Sequence, residues 1–253
     1  MDRKKALTIY LAGTYGQILT TCIIVFLLRN SGIKTDYTTV SGMLAIGMSG
    51  TSSALWGFIV AMKYKKVTAR EILIDFINIK QSYSSYLYVV AFVLLDFCYV
   101  LIGGRFLISV WYTPIILFLK AVIFGGIEEI GWRYTFQPAL EEKRNYILST
   151  IVTFVCWGIW HMLYFYIEGN LHQVHIIEFL IGLLVNCFIL SALYRKTKSL
   201  WICVMAHSLI NMFSQISSGG NPYVSFLCRG IIITVAIIVS ARVKNEWDCN
   251  KPF

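Results

Sequence analysis

The chain has 253 residues, of which 57% are hydrophobic and 14% charged, and its net charge is +9. Its mean hydropathy is +0.68. Such a balance excludes an ordinary water-soluble domain, which carries more charge and shorter apolar runs. It fits an all-α, polytopic membrane helix bundle, read here as one domain over residues 1–253.

In chain order, apolar windows fall at about 6–28, 40–62, 86–103, 110–137, 146–167, 174–194, 199–216 and 223–241. Each has about the 17–25 residues a spanning helix needs, so eight transmembrane helices are expected. The weakest signals are the second window, rich in Gly, Ser and Thr, and the short seventh. The longest polar interval is 63–85. Within it Ile72, Leu73, Phe76 and Ile77 recur at helical spacing after Thr68, with Glu71 three residues beyond Thr68. Two readings stand: an amphipathic helix on the inner leaflet, or a short helix in a soluble loop.

The basic charge is distributed by side. With the N-terminal tail placed inside, inner segments carry 16 Lys and Arg and outer loops carry 3, namely Arg29, Lys34 and Arg105. Lys120, Arg133 and Arg229 fall within spans. This positive-inside bias predicts a multi-pass protein of the cell membrane with both termini cytoplasmic. It accounts for the charge without nucleic acid. The expected partners are membrane lipids and a membrane-associated protein or peptide. The 7 cysteines are scattered and form no CxxC pair, so no disulfide framework is predicted.

The fourth window carries the most informative residues, Glu128, Glu129 and Arg133. A charge at the bilayer centre costs about 2.5–3.5 kcal/mol on insertion scales, so such groups persist where a protein interior receives them. Successive helical residues point about 100° apart, so the two glutamates face different neighbours. Glu129 and Arg133 share a face at i, i+4, and the spacing predicts an ion pair between them. Glu128 is then left facing a cavity. Gly125, Gly126 and Gly131 thin the helix for close approach. His161 lies in the fifth window. His207 and Asn211 lie one turn apart in the seventh.

Taken singly, each of these residues has a bland reading as helix–helix glue. Glu128, His161, His207 and Asn211 nevertheless fall at similar depth, counting about 1.5 Å per residue, and one buried site can hold all four. Asp96 is expected to pair with Lys120 or Arg229. The chain has no GxGxxG, Walker, HExxH or GxSxG motif.

These motifs resemble those of the CPBP family, the CAAX proteases and bacteriocin-processing enzymes also called Abi. Glu128-Glu129-Ile-Gly-Trp-Arg133 is similar to its EExxxR motif. Trp157-Gly-Ile-Trp-His161 is similar to its second motif, an aromatic residue separated by three residues from a histidine; many members have Phe where this chain has Trp157. His207-Ser-Leu-Ile-Asn211 is similar to its HxxxN motif. The likeness covers a core at about 118–213. It implies an intramembrane endopeptidase of the type that trims prenylated CAAX proteins, with prokaryotic relatives linked to peptide maturation and bacteriocin self-immunity. Carried over by position, Glu128 and His161 activate water, His207 and Asn211 hold the oxyanion, and Glu129 and Arg133 support the first motif.

The residue types suit that chemistry. A carboxylate and an imidazole can move the protons of an attacking water. Asn211 can only donate at an oxyanion. Glu128, His161 and His207 are equally a valid catalytic zinc set, so zinc or no cofactor at all both stay open. A transporter or channel using these groups as a proton relay is the alternative, though it predicts inverted repeats that the sequence lacks. A non-catalytic immunity protein is the third reading.

Overall fold

The computed structural model describes residues 3–243; the basic tail residues Lys244 and Lys251 lie outside the described residues. The protein is a helical membrane bundle. Its helices are α1 (Arg3–Asn30), α2 (Val40–Gly50), α3 (Ser52–Val60), α4 (Ala69–Ile77), α5 (Tyr83–Phe97), α6 (Thr113–Ala121), α7 (Glu128–Gly131), α8 (Gln137–Glu141), α9 (Tyr146–Glu168), α10 (Ile176–Thr197), α11 (Leu200–Ile216) and α12 (Pro222–Ala241). Six helical runs are long and apolar enough to cross a membrane: Arg3–Asn30, Val40–Lys65, Tyr83–Leu101, Tyr146–Glu168, Ile176–Thr197 and Pro222–Ala241.

The other two expected windows take different forms. The seventh is α11, an apolar helix of 17 residues. The fourth is a helical run in which α6, α7 and α8 alternate with wide π turns at Val122–Gly126 and Trp132–Phe136. The polar interval after α3 holds α4. There Ile72 is buried while Leu73, Ile74 and Ile77 are exposed, so of the apolar face expected at Ile72, Leu73, Phe76 and Ile77 only Ile72 is buried.

The described chain packs as two compact units interleaved along the sequence, residues 3–69 with 130–184, and 70–129 with 185–243. In the first unit, α1 buries Ala6, Tyr10, Thr14, Ile18, Thr21 and Val25, a single stripe at spacings of three and four. Tyr10 packs edge-on to Trp132 at 5.5 Å and stacks on Phe136 at 5.2 Å. Its hydroxyl meets the Ser53 hydroxyl at 3.2 Å. The Thr135 hydroxyl donates to the Ile130 carbonyl at 2.9 Å and also reaches the Gly57 carbonyl at 3.1 Å.

Helix α9 starts at Asn145, whose side chain accepts from the Leu148 amide, and ends at Gly169 with φ +80°. Arg29 covers that end by donating to the Tyr166 and Ile167 carbonyls, each at 2.9 Å, where a cation also meets the negative end of the helix dipole. In the following loop, hydrogen bonds from Thr38 and Lys34 hold the Asp36 carboxyl down at about 2.

In the second unit α11 is buried on nearly every side, from Leu200 to Ile216. Two three-residue strands, β1 (Gly104–Phe106) and β2 (Ser217–Gly219), form an antiparallel ribbon at its C-terminal end, pairing Gly104 with Gly219 and Phe106 with Ser217. This small ribbon was not expected from the sequence. Phe213 of α11 packs between Phe97 and Phe106, at 5.3 and 5.7 Å.

Backbone contact explains one of the glycines. A Cβ added at Gly57 would lie 2.5 Å from the Gly131 Cα and 2.8 Å from the Ile130 carbonyl oxygen. Neither can rotate away. Gly57→Ala is therefore expected to destabilise by roughly 1–3 kcal/mol, as overpacking does. Gly47→Ala has nothing within 4 Å of its new methyl and is the control. Thermal unfolding in detergent compares the two; equal midpoints would refute this contact.

Candidate active site

In the second unit, the π turn at Val122–Gly126 presents two successive glycines to α11. A Cβ at Gly126 would sit 2.8 Å from Val204 Cγ1 and 3.3 Å from Ser208 Oγ. One at Gly125 would sit 2.6 Å from Asn211 Nδ2 and 3.2 Å from His207 Nε2. The missing side chains thus let the polar face of α11 lie against the backbone just before the two glutamates. His207 and Asn211 both point at Gly125, as their one-turn spacing predicts.

Glu129 then reaches His207. Its Oε1 lies 2.7 Å from His207 Nδ1. The carboxylate side chain is fully buried and the imidazole nearly so, at 0% and 5% exposure. With Glu129 ionised, Nδ1–H donates to it, which fixes the ring and leaves Nε2 towards Gly125 and the Asn211 amide. A neutral ring would then offer a base at Nε2, and an imidazolium a second donor beside Asn211. Glu128 stands at the start of α7 and is also buried, at 4% exposure. Asn211 is half-buried.

Sequence spacing did not find His207 as a partner of Glu129; Arg133, its expected i, i+4 partner, lies in the second π turn.

Arg133 and His161 belong to the first unit. Arg133 is fully buried, and its guanidinium lies over the Trp157 ring, 4.5 Å from the centroid. Trp157 is also 5.4 Å from the His161 ring. Trp160 and Phe179 stand edge-on to His161, each at 5.0 Å, and Phe165 is 5.7 Å away. Trp160 is fixed in turn by donating from Nε1 to the Ser52 hydroxyl at 2.8 Å. The aromatic residue of the second motif is thus a wall between a buried cation and an imidazole. Four aromatic rings thus pack against His161.

The donor chemistry of His207 with a carboxylate on Nδ1 is also that of many metal ligands. Among the described residues, no group of three or more His, Cys, Asp or Glu is placed to hold a metal ion.

Comparison with known proteins agrees with the motifs. Residues 109–213 match the family model for the type II CAAX prenyl endopeptidase, Rce1-like. Over 104 residues the chain is 25% identical to the putative membrane peptidase YdiL of Bacillus subtilis (strain 168), a stretch covering 41% of this chain and 37% of that protein. The chain therefore spans little more than a third of that relative's length. All three motifs lie within the matched segment, which bears out the resemblance they suggest.

The geometry at Gly125 generates a prediction. Gly125→Ala places a methyl where the Asn211 amide and the His207 ring edge now sit, so both must move by a fraction of an ångström or more. A misplacement of about 1 Å can cost about 100-fold in rate. Turnover of a cleavable membrane-anchored reporter is expected to fall 10- to 100-fold (order of magnitude,) with the thermal midpoint unchanged or raised, since Ala favours helix over Gly. Undiminished turnover would show that the glycine does not set the position of these two side chains.

Proposed function

We propose that the chain is an intramembrane endopeptidase that hydrolyses a peptide bond in a membrane-associated protein or peptide, within a single membrane-embedded domain whose termini both face the cytoplasm. The observation that carries this reading is the buried Glu129–His207 hydrogen bond with Asn211 one turn away, inside the segment that matches the CAAX endopeptidase family. The type of substrate named by that family, a prenylated CAAX protein, is one candidate. A peptide precursor is the other.

The residue roles follow from their chemistry. Glu128 is the general base that takes a proton from water, and His161 works with it from the aromatic pocket of Trp157, Trp160, Phe165 and Phe179. His207, charged and held by Glu129, donates from Nε2 to the oxygen that becomes negative. Asn211 donates beside it. Two preorganised donors in a dry site are what a tetrahedral oxyanion requires. A buried imidazolium is tolerable here because its counter-charge is within hydrogen-bond distance. Arg133 supports the site by fixing Trp157. The basic residues of the inner loops support the cytoplasmic placement of the termini.

A prenylated or membrane-anchored peptide, incubated with the purified protein, tests the activity. Glu128→Ala is expected to abolish cleavage. Asn211→Ala should reduce turnover by roughly 10²–10³-fold with little change in KM, because the donor acts mainly in the transition state. Full activity of Asn211→Ala would remove it from the mechanism.

A further inference from the structure

Away from the candidate active site, the second unit brings together two cysteines 130 positions apart. Cys98 begins a 3-10 turn (Cys98–Leu101) between α5 and β1, and Cys228 lies in the second turn of α12. Their Sγ atoms are 3.0 Å apart, inside ordinary non-bonded contact for two sulfurs. Both are free thiols in this structure. A disulfide has an S–S bond of about 2.05 Å, so closing the bond needs about 1 Å of movement, within the reach of small side-chain rotations.

Two further observations bear on whether this contact is chemically usable. The first is access. Cys98 is half-buried, whereas Cys228 is buried at 7% exposure, so one thiol is reachable and the other sits behind it. The second is side. Cys98 lies just before the loop bearing Arg105, one of the three basic residues of the outer loops, and Cys228 follows the start of α12 at Pro222 by six residues. At about 1.5 Å per residue it is about 9 Å below that end. With the termini inside, both cysteines belong to the outer end of the bundle, facing the compartment in which disulfides persist.

We infer that Cys98 and Cys228 are a redox-active thiol pair that forms an intramolecular disulfide by exchange with a disulfide-bearing oxidant, joining the end of α5 to the start of α12. The accessible Cys98 thiolate attacks the oxidant, R–S–S–R, breaking its S–S bond and releasing one R–S⁻. Cys228, deprotonated, then attacks Cys98 Sγ, forming the Sγ–Sγ bond and releasing the second R–S⁻. The two thiol protons pass to the two released thiolates. Protein dithiol plus R–S–S–R gives protein disulfide plus two R–SH. The link ties together the chain on both sides of the β1–β2 ribbon. Tyr99, next to Cys98, accepts the Asn221 amide at 3.2 Å, so the two segments are already in register there.

The test uses the purified full chain and does not depend on the proposed peptidase activity. The protein is incubated with oxidised glutathione or with a reducing thiol, alkylated, digested and analysed by mass spectrometry. Oxidation is expected to lower the alkylatable cysteines from 7 to 5 and to yield a linked Cys98–Cys228 peptide that reducing thiol abolishes. Cys98→Ser should leave Cys228 alkylated after oxidant. Cys228→Ser should trap glutathione on Cys98. Serine differs little in size, and thermal unfolding checks that both variants fold; if either does not, the wild-type peptide map still decides. Both cysteines fully alkylated in oxidised wild type, a glutathione adduct stalled on Cys98, or links mainly between molecules would each overturn the inference.

Discussion

The buried hydrogen bond between Glu129 and His207 is the contact on which the candidate site depends. It joins residues 78 positions apart, one on each of two helical runs of the same unit, at 2.7 Å. A hydrogen bond to a charged group is worth about 1.5–3 kcal/mol net, and leaving either partner buried and unmet costs a similar amount or more. The pair therefore has two consequences. It draws α11 against the turn that follows Gly125 and Gly126, and it fixes which imidazole nitrogen faces the space beside Asn211. The two glycines leave room for this contact, because a Cβ at either position would crowd side chains of α11.

Much of this was legible in the sequence, because it rests on local chemistry. Charged residues in apolar windows, the i, i+4 spacing of His207 and Asn211, and the glycines before Glu128 all required no tertiary knowledge. The segment matching the CAAX endopeptidase family, 109–213, contains all three motifs that suggested it.

What was not legible shares one cause. Periodicity arguments assume a uniform helix, and the chain departs from one where the chemistry is densest. The window at 110–137 was read as a single span, yet two π turns interrupt it. Each admits an extra residue and rotates everything after it. The contact of Glu129 with His207 is long-range, and no spacing within one helix reveals such a partner. Cys98 and Cys228 escaped for the same reason. The β1–β2 ribbon escaped for another: three residues per strand are too few for an alternating pattern to register.

The observed contacts also change how the first motif is understood. Its acid and its base do different work in different surroundings. Glu129 orients one imidazole by hydrogen bonding to Nδ1 of His207. Arg133 lies on the face of Trp157, whose ring in turn stands beside the other imidazole, that of His161. A desolvated guanidinium over an indole is worth about 2 kcal/mol or more, enough to hold the ring against rotation. Each charge of the motif thus has a contact that fixes the environment of one histidine. Lysine at 133 would keep the charge but lose the flat guanidinium that matches the indole face. Aspartate at 129 would keep the charge but shorten the reach to Nδ1 by one methylene. On this reading, Glu at 129 and Arg at 133 each suit the contact they make, the carboxylate by its reach to His207 Nδ1 and the guanidinium by its flat face on Trp157.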